Sequence, residues 1–249
     1  MRIILAPAKK MRTDDDTLAP EGLPVFLKEA EVLKEWLRKL SYEELKALWK
    51  CNDKIARQNM ERLETMDLHR RLTPAILSYD GIAYQYMAPG VFENGAFSYV
   101  QEHLRILSGF YGVLKPMDGV TPYRLEMQAK AAIEGKNLYE FWNRKLYDEV
   151  CDGSGIIINL ASKEYSRCIE AYLKPTDRLI TCVFGELEKG KAVQKGVYAK
   201  MARGQMVRLM AENKVQQPEE LKEFDVLGYR FDENRSDEEN FVFLKSENR

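Results

Sequence analysis

The chain has 249 residues, enough to bury a sizeable core, and 45% hydrophobic with 31% charged residues marks a soluble globular protein. Its net charge is −1, so no whole-molecule positive field attracts nucleic acid and any such site must be a local patch. Four scattered cysteines without a Cys-x-x-Cys pair, and two histidines far from them, argue against zinc and for a reducing compartment.

Residues 2–6 (Arg-Ile-Ile-Leu-Ala) predict a buried strand that stops at Pro7. Residues 13–22 read as a polar, exposed loop. Pro24 opens a helix to about Leu40, and Ser41-Tyr42-Glu43-Glu44 is a capping box for the next one. A third amphipathic helix is expected over 52–67. Thr73-Pro74 is a helix start, and the aromatic, glycine-broken run 79–87 predicts a short strand or turn.

Residues 97–107 predict a helix that enters Ser108-Gly109-Phe110-Tyr111-Gly112 and leaves through Val113-Leu114-Lys115-Pro116. Two amphipathic pieces joined by a glycine turn match a helix-hairpin-helix in outline, over about 97–116. Exposed N–H groups in such a turn bind phosphate, and Arg105 and Lys115 flank it. Two core helices brought close by the glycines account for the same residues. Asp118-Gly119 marks a turn, and residues 122–127 alternate like a strand.

An amphipathic helix is expected over 138–151. Gly155-Ile156-Ile157-Ile158-Asn159-Leu160 is the clearest buried strand, followed by a helix that Ser162 can cap. Residues 178–184 and 191–198 predict a hairpin, 199–213 a helix, 218–224 a short helix, and 228–231 with 240–245 a terminal hairpin. Six basic residues against one acid occupy 190–215, and ten acids against five bases occupy 216–249. A basic element beside an acidic one suits an anion-binding face, and suits a solvated surface helix equally. Strands and helices interleave without a regular βαβ rhythm. The expected fold is α+β, one domain over 1–249, with a mixed β-sheet flanked by helices. The apolar run at residues 3–6 is too short for a signal peptide and no later run reaches membrane-spanning length, so a cytoplasmic protein is expected.

Four polar clusters carry candidate chemistry. Lys9 and Lys10 follow the first strand, where open sheets place ligands. Ser162 and Glu164 stand at a strand-to-helix junction, where Glu164 is either a dipole partner or a general base. Tyr123, Arg124 and Glu126 lie close together; Arg124 and Glu126 form an ion pair on one face or line a cleft in which Arg124 grips phosphate. Lys200 and Arg203 share one arc of a helix beside the small residues Ala199, Ala202 and Gly204. No nucleophilic triad, Walker loop or dinucleotide fingerprint is visible, and no cofactor or metal site is expected.

Ile4-Leu5-Ala6-Pro7-Ala8-Lys9, the segments 107–118, 122–127 and 138–142, Asn159-Leu160-Ala161-Ser162-Lys163-Glu164-Tyr165 and Tyr198-Ala199-Lys200-Met201-Ala202-Arg203-Gly204 occur in that order. Together they resemble the YaaA family of bacterial peroxide-stress proteins, over nearly the whole chain. The resemblance implies a cytosolic α+β protein with a positively lined cleft, a helix-hairpin-helix-like element over 107–116, and DNA binding. It also implies protection against peroxide by limiting free iron and oxidative DNA damage. Two positions depart from the family pattern: Ala6 stands where many relatives have Ser, and Ile82 where many have Asp.

Two functions from different classes are therefore expected. One is sequence-tolerant binding of DNA backbone by Lys9, Arg105, Lys115, Arg124, Lys200, Arg203 and the Gly109–Gly112 turn. The other is an enzyme acting on a nucleotide or other small phosphorylated molecule, with Glu126 or Glu164 as acid/base and Tyr123, Tyr165 or Ser162 nearby. A deep pocket favours the enzyme and a long shallow groove favours DNA. Direct iron binding would need a site of scattered carboxylates.

Overall fold

The computed structural model describes residues 1–14, 16–225 and 227–245. Residue 15 of the expected 13–22 loop and the last four residues of the acidic segment lie outside them. Strand β1 (Arg2–Leu5) is followed by helices α1 (Leu27–Arg38), α2 (Tyr42–Trp49) and α3 (Asp53–Glu64). The capping box forms: the Glu44 N–H donates to Ser41 Oγ, and the Ser41 N–H donates to the Glu44 carboxylate at 2.7 Å. Asn52 caps α3 by a single bond, its side-chain oxygen accepting from the Ile55 N–H at 3.0 Å.

Next come β2 (Thr73–Pro74), α4 (Ala75–Ser78), α5 (Ile82–Met87), α6 (Asn94–His103), β3 (Leu104–Ser108), β4 (Gly112–Leu114) and β5 (Gly119–Val120). The rest of the chain forms α7 (Leu138–Trp142), α8 (Lys145–Val150), β6 (Ile156–Leu160), α9 (Lys163–Glu170), β7 (Arg178–Glu188), β8 (Lys191–Val193), α10 (Gly196–Asn213), β9 (Tyr229–Phe231) and β10 (Asn240–Lys245). Eight strands share one sheet in the order β4-β3-β1-β6-β7-β10-β9, with β8 paired to β7. The five central strands run parallel; β4, β8 and β9 are antiparallel additions. This is the expected mixed sheet flanked by helices. Its central strands are covered on both faces and read as continuous apolar runs, which is why Ile156-Ile157-Ile158 was so legible.

The helix-hairpin-helix is corrected. Helix α6 ends at His103, and Leu104 to Ser108 becomes a strand because it pairs in parallel with Ile3–Leu5 of β1. The chain then turns back, and β3 with β4 forms a β-hairpin. Sheet pairing has overridden a helical sequence pattern. The turn is also closed to phosphate. Phe110 and Tyr111 are fully buried, and both their N–H groups donate to Ser108 Oγ, at 3.1 and 2.8 Å. Gly109 is required because a Cβ there would lie 2.5 Å from the Leu125 carbonyl oxygen.

Three further expectations change. Residues 122–126 join no strand ladder among the described residues and Met127 begins a turn, the segment being held against the Gly109 turn instead. Residues 82–87 form helix α5, since Gly81 packs against Ala8 and lets the chain enter a helix over the β1 loop. The 138–151 helix splits into α7 and α8 at Asn143, whose φ of 48° breaks the helical path.

Candidate functional site

The parallel strands place the site. From β1 the chain crosses to β3 on one side, and from β6 it passes through α9 to β7 on the other. Adjacent strands whose connections diverge leave a crevice outside their carboxyl ends, where open sheets bind ligands. A cavity of about 380 Å³ occupies that crevice. Its floor is Leu5 and Leu160, the last residues of β1 and β6. Its walls come from the loop 6–10, the start of α5, the segment 123–126, the start of α9, and Lys200 and Arg203 of α10.

Tyr84 donates to the Ala6 carbonyl at 3.0 Å and fixes the loop after β1. Helix α10 lies against α5 so closely that Gly204 has no room for a Cβ beside the Ala83 carbonyl. That contact sets Arg203 and Ile82 on the same cavity. Ser162 begins α9 with its hydroxyl making no capping bond, so hydroxyl and helix terminus are both presented to the cavity.

The cations fall into two groups. Arg124 is committed: its Nε lies 2.9 Å from Glu126 Oε1 and its Nη2 donates to the Trp49 carbonyl at 3.4 Å. The Arg124–Glu126 contact is an ion pair by distance without hydrogen-bond alignment, so both atoms remain buried and unbonded. Lys9 Nζ approaches the same Glu126 oxygen at 3.3 Å. Lys10 pairs with Asp80, and this bond holds the Asp80 carboxyl below its ordinary range. Arg203 differs. Its Nη2 reaches only the amide oxygen of Gln194, at 3.3 Å, and its Nε is buried with no partner. Burial pulls its pKa down, and no carboxylate among the described residues pairs with it. Lys200 is exposed at the mouth and has no carboxylate partner among the described residues either.

One wall is a chain of hydroxyls. Ser108 Oγ accepts two backbone N–H bonds, so its own proton is directed to Tyr123 Oη, 2.6 Å away. Tyr79 Oη lies 2.8 Å from the same phenol. Burial pushes Tyr123 up to about 12, while the Ser108 and Tyr79 bonds pull the other way. Burial drives Tyr79, Tyr84 and Tyr165 well above the ordinary tyrosine value. Glu164 Oε1 accepts from the Gln128 N–H at 3.1 Å, tying the start of α9 to the chain just beyond Glu126.

Lys9, Tyr123, Arg124, Glu126, Ser162, Glu164, Lys200 and Arg203 thus meet on one cavity, drawn from four separate segments. Arg105 and Lys115 do not; they border a different groove beside Arg2. Gly109 and Gly112 are packing glycines, the latter with φ of 75° against Trp142 and Phe26. Ser108, Tyr79 and Tyr84 were not singled out in the sequence. Only the density of tyrosines near Gly81 could have flagged them, since their partners lie far away in the chain. Both departures from the family pattern, Ala6 and Ile82, line the cavity.

The chain matches the family model described as peroxide stress protein YaaA over residues 1–235. A UPF0246 protein of Agathobacter rectalis is 64% identical over 245 residues, spanning 98% of each chain. UPF0246 proteins of Lachnoclostridium phytofermentans and Desulfitobacterium hafniense are 55% and 54% identical, over 99% of this chain and 97% and 98% of theirs. The residues that line the crevice and the strands that hold it therefore sit in a chain that belongs, along almost its whole length, to the family of the peroxide stress protein YaaA.

Proposed function

We propose that the cavity takes a small phosphorylated molecule of nucleotide size, and that the protein acts on it within a peroxide-stress response. The observation that carries this is Arg203, a half-buried arginine whose Nε is buried without a hydrogen-bond partner and which has no carboxylate partner among the described residues, lining the crevice at the sheet's switch point. A cation of this kind is completed by an anion. A volume of about 380 Å³ lies within the range of small-molecule sites. Arg203, Lys200, the Ser162 hydroxyl and the first N–H groups of α9 form the phosphoryl seat. Glu126 and Tyr123 are the proton-transfer groups, with Arg124 and Lys9 holding the Glu126 carboxylate and Ser108 and Tyr79 orienting the phenol. Glu164, tied to the Gln128 N–H, joins the start of α9 to the 123–126 wall.

DNA backbone is the second occupant to weigh, because Lys9, Lys10 and Lys200 are exposed at the mouth and can reach phosphates outside it. With the glycine turn buried and Arg105 elsewhere, this reading rests on those rim lysines alone. Among the described residues no three of His, Cys, Asp and Glu converge as a ligand set.

Calorimetric titration with AMP tests the proposal. The wild-type protein should bind, and the double reversal Lys200→Glu with Arg203→Glu should weaken binding in the crevice at least a hundredfold, as for loss of two charge-assisted contacts. Equal affinity in both proteins would remove the cavity as the phosphate seat. Binding of duplex DNA that falls steeply with salt, without any AMP binding, would favour the rim lysines instead.

A further inference from the structure

A second arginine is buried without a carboxylate, and it is not in the cavity. Arg105, on β3, is only 4% exposed. One of its nitrogens, Nη1, donates to the Leu104 and Gln101 carbonyls at 2.8 and 3.2 Å, closing the end of α6. Its Nε is buried with no partner, and no hydrogen bond from Nη2 exists among the described residues. Closing the helix end therefore accounts for one nitrogen of three.

Arg2 adds to the anomaly. Its Nη1 also donates to the end of α6, at the Glu102 carbonyl, and its Nε, 3.5 Å from Asp152, makes no aligned hydrogen bond. Two guanidinium groups are thus gathered at one helix end. Burial, followed by the neighbouring Arg2 charge, lowers the Arg105 pKa to about 10, while Glu149, Asp118 and Asp152 favour the charged form. Like charges are held together at such a cost where an anion joins them.

Both arginines border a groove of about 900 Å³. Lys115, exposed and without a carboxylate partner among the described residues, stands on the same groove. Phe92 and Phe97, half-buried and meeting edge to face at 5.7 Å, also line it. Glu21 and Glu102 border it, Asp152 lies 3.5 Å from Arg2, and Glu149, Asp118 and Asp152 face Arg105, none of them hydrogen-bonded to its Nε. No residue lines both this groove and the cavity.

We infer that this groove is a second binding site, for an organic phosphate monoester, with Arg2, Arg105 and Lys115 on the phosphoryl group and Phe92 and Phe97 against an aromatic body. Two guanidinium edges and an ammonium suit a phosphoryl dianion, and an aromatic pair suits a flat ring. The site stands independently of the cavity, and its ligand need not be the same molecule.

The test uses the full chain with the cavity silenced by Lys200→Ala and Arg203→Ala, titrated calorimetrically with AMP and, separately, with inorganic phosphate. AMP should bind with one site per chain and more tightly than phosphate. Lys115→Ala should weaken AMP roughly tenfold, the scale of one charge-assisted contact. Arg105→Lys, which keeps the charge but loses the guanidinium fork, should weaken it further. Lys115 is exposed, so its variant reports on binding even if Arg105→Lys folds poorly. Absence of AMP binding in the silenced protein, or unchanged affinity in Lys115→Ala, overturns the site. AMP no tighter than phosphate overturns the aromatic assignment. In the wild-type protein, heat lost with Lys115→Ala but not with Lys200→Ala and Arg203→Ala retires the cavity and keeps this site; the opposite pattern does the reverse.

Discussion

Ser108 shows how much one hydroxyl can organise. It satisfies two N–H groups of a buried turn and directs its proton to Tyr123. Ser108→Ala would leave both N–H groups unpaired in the core, at a cost of about 2–4 kcal/mol by the usual penalty for buried unsatisfied donors. Urea denaturation should show a lower midpoint with an unchanged slope. Asp118 carries the opposite kind of strain. Burial raises its carboxyl to about 6, against the Lys115 N–H bond that favours the ionised form. Its folded pKa lies above its unfolded value, so the native state holds the proton longer. This residue's contribution to stability is therefore fullest in acid and falls as pH rises from about 4 to about 6. Asp118→Asn keeps the acceptor for Lys115 and removes the fall. Near neutral pH the variant should be more stable by about 3 kcal/mol, an order-of-magnitude figure from the size of the shift. Denaturation curves at pH 4.5 and 7 check this, and a wild-type fall that persists in the variant would contradict it.

The α10–α5 contact is what brings the basic helix to the cavity. Gly204 meets the Ala83 carbonyl, and a methyl group there forces the two helices apart. Gly204→Ala should destabilise the protein by roughly 2–3 kcal/mol, as over-packing does, despite alanine's better helix propensity. Thermal unfolding measures the loss, and AMP affinity should fall with it because Arg203 moves with its helix. Elements whose local signals agreed with their surroundings were legible from sequence. The capping box at Ser41, the Ile156–Leu160 strand and the final β9–β10 hairpin are examples. Where neighbours decided, sequence pattern failed. Leu104 to Ser108 looked helical until β1 offered it a ladder, and 122–127 alternated like a strand but found none to pair with.

Across the whole molecule, net charge and composition hid a site built from cations far apart in the chain. The four clusters at strand ends were recognisable separately, and the parallel order of β1 and β6 is what unites them. The Arg124–Glu126 pair was one of two readings their spacing allowed, and the structure forms it, whereas nothing in the sequence near Arg203 told that it meets no carboxylate among the described residues. The tyrosine–serine chain was invisible for the same reason, since Ser108 and Tyr123 meet only when two segments fold together. The decisive measurement is a crystal structure grown with AMP and phased independently of the ligand. The phosphoryl group should lie in the crevice beyond β1 and β6, with oxygens about 3 Å from Arg203 and the Ser162 hydroxyl. A well-occupied nucleotide bound elsewhere, with that crevice holding only water, would contradict the account.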